Sequence, residues 1–226
     1  MSGPAKPANR LLSALSANTY RSLFPLLEAY ELKYRADVYA SGEVIKHAYF
    51  PESGIISLLT AVGERSTLEV GIVGNEGMVG LSLYLGAKRS NTKAVVQGDG
   101  VALRMKAADF LAECDRSDEL PKLLRRFTHS LLTQISQSAV CNRFHLIDRR
   151  MARWLLMTAD RMASNEFLIT QDFLSNMIGV RREAVSRSAF KLQEEELISY
   201  RRGNLTIHDR KKLESRACDC YALISA

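Results

Sequence analysis

The sequence predicts an α+β protein in which an N-terminal β-roll of the jelly-roll type is followed by a long helix and a C-terminal winged helix-turn-helix. Three observations predict this fold. Ten of the 13 glycines lie in residues 42–100, between short apolar runs that are typical of strands joined by turns. Leucine and phenylalanine then recur every three or four residues from Leu120, which indicates a helix. Finally, Thr170 to Lys191 has the spacing of two helices joined at Gly179.

Length and composition restrict the class of protein. A chain of 226 residues with 46% hydrophobic residues can bury a good core and accommodate two modest domains. No apolar run reaches the roughly 18 residues of a membrane span, and residues 1–10 lack the apolar core of a secretory signal. The four cysteines are too few and too unevenly spaced for a disulfide framework. We therefore expect a cytoplasmic protein with no membrane partner.

The positive charge is concentrated in the C-terminal third. The net charge is +6, and residues 143–216 contain 15 Lys and Arg against 10 Asp and Glu. A basic surface in the region of a helix-turn-helix favours a polyanion as partner, although a solvated basic surface is the simpler alternative.

The N-terminal 117 residues are predicted to form the β-roll domain. Leucines spaced through residues 8–34 indicate short helices that are interrupted near Pro25. From Val38, short apolar runs and frequent turns replace this pattern, and such strands close most naturally into a roll that protects the sheet edges. A short helix is predicted over residues 106–114.

Residues 118–143 are predicted to form one long helix that pairs with a second copy of the chain. The apolar positions step by four, three and four, as in a coiled coil. A helix-turn-helix reads two half-sites best as a symmetric dimer, which favours a homodimer over the alternative that the stripe packs against its own domain. The predicted interface consists of Leu120, Leu124, Phe127, Leu131 and Gln134.

The domain from residue 144 to residue 226 is predicted to bind double-stranded DNA. An amphipathic helix over residues 144–162 contains Trp154, which we expect to be a core residue. Two short strands over residues 197–200 and 204–208 form a hairpin, or wing, and a last helix follows Asp209.

Four polar residues on the second helix of the motif share one face. Glu183 and Arg187 are four residues apart, as are Arg182 and Ser186, so all four project away from Val185 and Leu192. Such a face suits the major groove of DNA. Contacts to the DNA backbone are expected from residues at the helix ends and in the wing: Thr170, Gln171, Arg181, Lys191, Arg201 and Arg202. Thr170 can also cap its helix, whereas Arg181 is a poor cap.

These residues resemble the cyclic-AMP receptor protein and fumarate-nitrate regulator (Crp/Fnr) family of bacterial transcription regulators. The resemblance is carried by GVRREAVSR at 179–187, KLQEEELI at 191–198, SGEVIKHAYFPESGIISL at 41–58 and VGNEGMVG at 73–80. It implies a cyclic-nucleotide-binding-like β-roll, a dimerisation helix and a winged helix. It also implies that Arg182, Glu183, Ser186 and Arg187 contact bases in a palindrome with TTGA-like half-sites, and that RNA polymerase is a partner.

The effector cassette departs from the family pattern. Nucleotide-binding members have a glutamate for the ribose and an arginine for the cyclic phosphate after the cassette glycine. Aligning that glycine with Gly80 places Leu81 at the glutamate position and Asn91 and Thr92 near the arginine position. Leucine cannot accept a hydrogen bond from a ribose hydroxyl, and asparagine cannot neutralise a phosphate. We expect the protein not to bind cyclic nucleotide, unless Arg89 or Lys93 takes the arginine role; any other small-molecule effector is unknown.

No cofactor, metal or enzymatic site is predicted. The first cysteine is Cys114, so the N-terminal cysteine cluster of iron–sulfur members is missing, and no catalytic motif occurs. Two alternatives remain: a cyclic-nucleotide-responsive regulator, and a redox or metal sensor that acts through Cys218 and Cys220, especially with Cys141. The histidines, including His145, are scattered in the sequence and are interpreted as structural or solvent-facing.

Overall fold

A computed structural model describes residues 5–62 and 66–225 of the chain. The first four residues of the predicted N-terminal domain therefore lie outside the described part. Contacts divide the chain into two compact units. The first comprises Met1–Leu58 and Ile72–Leu131, and the second comprises Leu59–Gly71 and Leu132–Ala226. No helix in the described ranges combines the length and the apolar character that crossing a membrane requires.

Strands dominate the N-terminal half. Its helices are α1 Arg10–Ser13, α2 Ala17–Leu23 and α3 Ala107–Arg116, with 3-10 turns at Phe24–Leu26 and Leu81–Leu83. Its strands are β1 Glu28–Leu32, β2 Asp37–Tyr39, β3 His47–Pro51, β4 Ile55–Val62, β5 Ser66–Val73, β6 Lys93–Gly98 and β7 Gly100–Lys106.

The strands form two sheets, which confirms the predicted β-roll. One sheet has the order β1-β7-β3 with antiparallel pairs, and the other has the order β2-β6-β4-β5. Apolar side chains from the strands and from α3 fill the core, among them Phe50, Ile55, Met105 and Phe110. The predicted helix after residue 106 is confirmed as α3.

The prediction of helical structure up to residue 34 is wrong for its last part. Short helices and a 3-10 turn at Pro25 are present, but Glu28–Leu32 is strand β1, paired with β7. Tyr30 and Leu32 are the more buried positions of this strand, so its pattern has the period of two expected for a sheet. The prediction failed because Leu26 and Leu27 continue the helical spacing of the preceding leucines up to the start of this strand.

Helix α4 spans Glu119–Phe144 and confirms the predicted long helix. The predicted dimer seam needs correction, because every residue in it is buried within the single chain: Leu120, Leu124, Phe127, Leu131 and Gln134. In the first unit, the Phe127 ring lies so close to Gly77 that a Cβ there would be 2.1 Å from its Cε2. The alternative interpretation, in which this stripe packs against the chain's own domain, agrees with the structure.

The rest of the second unit is mainly helical. Its helices are α5 Ile147–Met162, α6 Gln171–Ile178, α7 Arg182–Glu194, α8 Arg210–Arg216 and α9 Cys220–Ser225. Its short strands are β8 Glu166–Leu168, β9 Ile198–Arg201 and β10 Asn204–Ile207.

Helix α5 forms the centre of this unit, with buried residues along most of its length. Trp154 is buried, as predicted, and its indole N–H donates to Oε1 of Glu69 at 2.8 Å. Asp209 caps α8 by accepting a hydrogen bond from the backbone N–H of Lys212. The sequence interpretation lacked two elements, the third strand β8, which pairs with β10, and the terminal helix α9.

Candidate nucleic-acid interface

The helix-turn-helix has the predicted local geometry. The Thr170 hydroxyl accepts a hydrogen bond from the backbone N–H of Phe173 at 3.2 Å and so caps α6. At the other end, Gly179 has a φ of 70°, and the N–H groups of Gly179 and Val180 both donate to the Ser175 carbonyl. This arrangement ends α6 and turns the chain into α7.

Helix α7 has one buried and one exposed side. Val185, Ala189 and Leu192 are buried, and α7 packs on both α5 and α6. The four residues predicted to share a face are all exposed: Arg182, Glu183, Ser186 and Arg187. The structure therefore brings these side chains to one polar surface, and we call them the recognition face.

The N-terminal end of α7 has no side-chain cap. Arg181 occupies the N-cap position and its side chain makes no capping hydrogen bond, in agreement with the sequence interpretation. Nearby, Nε of Arg182 lies 3.4 Å from Oδ1 of Asp172 on α6. Both side chains are largely exposed, so this ion pair contributes little to stability and can exchange for another anion.

The wing is a tight hairpin with two arginines at its end. Arg201 pairs with Asn204 across β9 and β10, and Arg202 and Gly203 both have positive φ, as a type I′ turn requires. Tyr200 anchors the hairpin because its N–H donates to Oε1 of Gln193 and its hydroxyl donates to the Ile169 carbonyl. Both arginines are exposed.

The other residues that were predicted to contact the DNA backbone differ in their exposure and in their present partners. Thr170 and Gln171 are half-buried at the start of α6, and Arg181 is exposed. Lys191 is exposed too, but its Nζ lies 2.9 Å from Oδ2 of Asp148 on α5. Burial alone would raise the pKa of Asp148, but the hydrogen bond and charge of Lys191 outweigh it and lower this pKa. Lys191 thus also ties α7 to α5.

The residues of the effector cassette lie in the first unit. Gly80 has a φ of 98° and precedes the 3-10 turn in which Leu81 is buried. Asn91 is exposed and Thr92 is half-buried, with its N–H donating to the Ser90 hydroxyl.

The two cations considered as substitutes in the cassette are already engaged. Arg89 donates from Nη1 to the Gly42 carbonyl at 2.7 Å, and Nζ of Lys93 lies 2.8 Å from Oδ1 of Asp37. Inside the roll, the Ser57 hydroxyl donates to Oε1 of Gln97, and burial raises the pKa of Tyr39 to about 12. These three side chains are uncharged at neutral pH.

The second unit contains a cluster of potential metal ligands, which includes the three cysteines of the metal-sensor alternative and one residue missed by the sequence interpretation, His145. Sγ of Cys141 lies 3.4 Å from Sγ of Cys218, and Sγ of Cys220 lies 3.5 Å from Nδ1 of His145. All four ligand atoms lie within 4.8 Å of one another. We call these residues the Cys3His cluster.

His145 was interpreted as structural or solvent-facing, but it lies beside the three cysteines. It follows Cys141 by four residues, and its N–H donates to the Cys141 carbonyl as in a helix. This spacing, together with Cys-x-Cys at 218 and 220, was the available sequence signal.

The β-roll, long helix and winged helix-turn-helix define the class of two-domain transcription regulators. Residues 31–117 match the cyclic nucleotide-binding domain model, and residues 149–216 match the Crp-like helix-turn-helix domain model. The chain belongs to the Crp/Fnr family of DNA-binding transcription regulators. No curated protein matches it in a sequence search.

Solved structures share this fold at low sequence identity. FixK2 from Bradyrhizobium japonicum is 13% identical with a TM-score of 0.73, over 85% of this chain and 98% of its own. A Crp/Fnr-family transcriptional regulator from Eubacterium rectale is 18% identical with a TM-score of 0.70, over 92% and 98%. The c-di-GMP-responsive regulator CLP from Xanthomonas campestris is 17% identical with a TM-score of 0.69, over 86% and 100%.

We expect Gly179→Ala to lower the free energy of unfolding by about 1–3 kcal/mol, because alanine is strained at positive φ. Its Cβ would also lie 2.5 Å from Cδ1 of Leu68. Gly203→Ala is the matched control, since Gly203 has a φ of 87° but its nearest neighbour would be 3.4 Å away. Urea denaturation measures both variants, and equal losses would contradict a packing contribution at Gly179.

Proposed function

We propose that the protein binds a palindromic operator in double-stranded DNA as a homodimer and regulates transcription there. The observation that carries the proposal is the recognition face, which α7 presents on its exposed side while its apolar side is buried. In this proposal, residues 1–117 form a sensor domain, 118–143 the dimerisation helix and 144–226 the DNA-binding domain. RNA polymerase is the proposed protein partner, in the cytoplasm, and no enzymatic step is involved.

The recognition face has the chemistry for reading base edges in the major groove. The Arg187 guanidinium can donate two hydrogen bonds to O6 and N7 of guanine, and the Glu183 carboxylate can accept one from N4 of cytosine. Ser186 can donate or accept, and Arg182 lies beside these residues on the same face. The combination supports the TTGA-like half-site that the family resemblance implies.

Backbone contacts would hold this face in register. The uncapped N-terminus of α7 beside Arg181, and the start of α6 at Thr170 and Gln171, present N–H groups suited to phosphate. Arg201 and Arg202 extend the positive surface along the wing. Lys191 can add a phosphate contact by exchanging its partner Asp148 for the DNA backbone.

The proposed dimer uses a different face of α4 from the predicted one, because the predicted seam is buried within the chain. In the second unit, exposed positions of α4 recur at helical spacing and include two large apolar side chains, Leu132 at 57% and Val140 at 44% exposure. Ser136 and Ala139 are the small exposed residues between them. Apolar and small residues at this spacing suit close contact with a second helix.

The sensor domain is proposed to work without a cyclic nucleotide. Leu81 cannot accept a hydrogen bond from a ribose hydroxyl, and its side chain is buried. Arg89 and Lys93 already have oxygen partners within the first unit. A cyclic phosphate therefore lacks the bidentate arginine that its charge calls for.

We expect Arg187→Ala to weaken operator binding by about 1–3 kcal/mol, or roughly five- to 150-fold, and to relax the base preference. Arg202→Ala should instead reduce the slope of log affinity against log salt by about 1, because it removes one phosphate contact. Selection from random duplexes defines the site, and fluorescence anisotropy at several salt concentrations measures both effects.

Lys211→Ala is the matched control for these two variants, since Lys211 is an exposed cation on α8, outside the motif and the wing. It should leave operator affinity nearly unchanged. Recovery of sequences without twofold symmetry, or unchanged binding by Arg187→Ala, would contradict the proposed reading of bases.

Leu132→Glu should convert the dimer to a monomer, because it places a charge in an apolar contact between two α4 helices. Sedimentation velocity measures the change, and operator affinity should fall with it. Leu146→Glu is the control, since Leu146 is 74% exposed but lies beyond the end of α4. A dimer that survives Leu132→Glu would argue against this interface.

Calorimetry with cyclic AMP and cyclic GMP is expected to show no binding up to millimolar concentration. The reason is the missing ribose acceptor and phosphate partner in the cassette. Restoring both groups, in the double variant Leu81→Glu and Asn91→Arg, is the informative comparison. Tight binding of either nucleotide by the unaltered protein would overturn this part of the proposal.

A further inference from the structure

The Cys3His cluster combines residues that are far apart in the chain. Cys141 and His145 lie at and just beyond the C-terminal end of α4, whereas Cys218 and Cys220 follow α8. The three cysteines are buried and His145 is half-buried. Three thiols and one imidazole thus offer four potential ligand atoms close to one another.

The distances suit one tetrahedral metal ion. Thiolate sulfur lies about 2.3 Å and imidazole nitrogen about 2.0–2.1 Å from Zn²⁺, so neighbouring ligand atoms of a tetrahedral site are about 3.5–3.8 Å apart. The distances of 3.4 Å between Cys141 and Cys218 and of 3.5 Å between Cys220 and His145 are close to these values. With all four atoms within 4.8 Å, only small side-chain movements would complete the site.

The ligand set points to zinc among the metals that bind thiolate. Three sulfurs and one nitrogen in a tetrahedral arrangement favour Zn²⁺, and hard cations such as Mg²⁺ require oxygen ligands instead. An iron–sulfur cluster would spread its ligands over more than one iron atom and so hold some of them further apart. Four protein ligands also leave no open position for a substrate, which is typical of a structural site.

The surroundings offer support for an anionic metal site. One Zn²⁺ with three thiolates has a net negative charge, and Arg150 and Arg153 are two buried guanidiniums in the same unit. Arg153 interacts electrostatically with Cys141, and Arg150 interacts with both Cys141 and Cys218. Gln137 supplies an outer donor, because its Nε2 lies 3.3 Å from Sγ of Cys220.

We propose that the Cys3His cluster is a mononuclear Zn²⁺ site that fastens the C-terminal segment of the chain to the end of α4. Cys141 and Cys218 are 77 residues apart, so one ion closes a loop that contains α5, the helix-turn-helix and the wing. Closing such a loop restricts the unfolded chain and stabilises the folded DNA-binding unit. The binding releases thiol protons, so the apparent affinity for zinc falls as the pH is lowered.

The first experiment measures metal on the full-length protein without DNA. Protein prepared under reducing conditions is loaded with Zn²⁺ in competition with a chromophoric chelator, and bound metal is measured by mass spectrometry. We expect about one ion per chain and a higher melting temperature. With Co²⁺ as the probe, absorption bands of a tetrahedral thiolate site should appear.

Variants distinguish metal binding at this site from nonspecific binding of metal to thiols. Cys218→Ser and His145→Asn should lose the tight ion and the cobalt bands, whereas Cys114→Ser should keep both, because Cys114 lies on α3 outside the cluster. His145 is only half-buried, so His145→Asn tests the site even if Cys218→Ser fails to fold. Zinc retained equally by all variants would overturn the proposal. Reduced unaltered protein that takes up no metal, and forms only a Cys141–Cys218 disulfide on oxidation, would overturn it too.

A second experiment connects the site with DNA and rests on the proposed function. Operator affinity is compared for zinc-loaded and metal-free protein, with Cys114→Ser treated in parallel. We expect removal of zinc to weaken binding by roughly 5–150-fold, the usual range of coupling between two sites. Equal affinities would overturn this coupling, while the metal measurements decide the site itself. A chain that binds zinc but no DNA would refute the operator proposal alone.

Discussion

The packing of α7 on α5 is the constraint on which the DNA-binding half depends. Val185, Ala189 and Leu192 bury the apolar side of α7, and this alone decides which side remains exposed. A rotation of α7 by one residue, about 100°, would replace buried aliphatic groups with charged ones at a cost of several kcal/mol. The orientation of the recognition face is therefore set by its hydrophobic reverse side. The ion pair between Lys191 and Asp148 also holds the C-terminal part of α7 on α5, but more weakly.

The N-terminal half combines the family fold with cassette side chains that differ from the family pattern. Residues 31–117 match the cyclic nucleotide-binding domain model, and the structure has two sheets and a left-handed backbone conformation at Gly80. Lys93 is paired with the Asp37 carboxylate, whereas Arg89 donates a hydrogen bond to the uncharged Gly42 carbonyl. The interior hydroxyls and amide of Ser57, Gln97 and Tyr39 satisfy polar groups without supplying a net charge.

Local features of the sequence were predictable, and features that depend on distant contacts were not. The turn at Gly179, the Thr170 cap and the wing follow from residues adjacent in the chain, and the structure has all of them. Strand β1 was interpreted as helix because its pairing with β7 joins residues that are far apart. Periodicity showed that α4 has an apolar stripe but could not show what covers it. The residues of the Cys3His cluster lie in two segments that are far apart in the sequence. No partner for its histidine was therefore apparent before the structure was known.

The close approach of Gly77 and Phe127 has a mechanical consequence. The backbone at Gly77 and the Phe127 ring on α4 leave no room for even one additional carbon atom between them. Gly80 and Leu81 follow Gly77 by three and four residues, so a movement of this segment toward α4 would press on the ring. A methyl group added at position 77 would therefore force either the ring or the segment to shift.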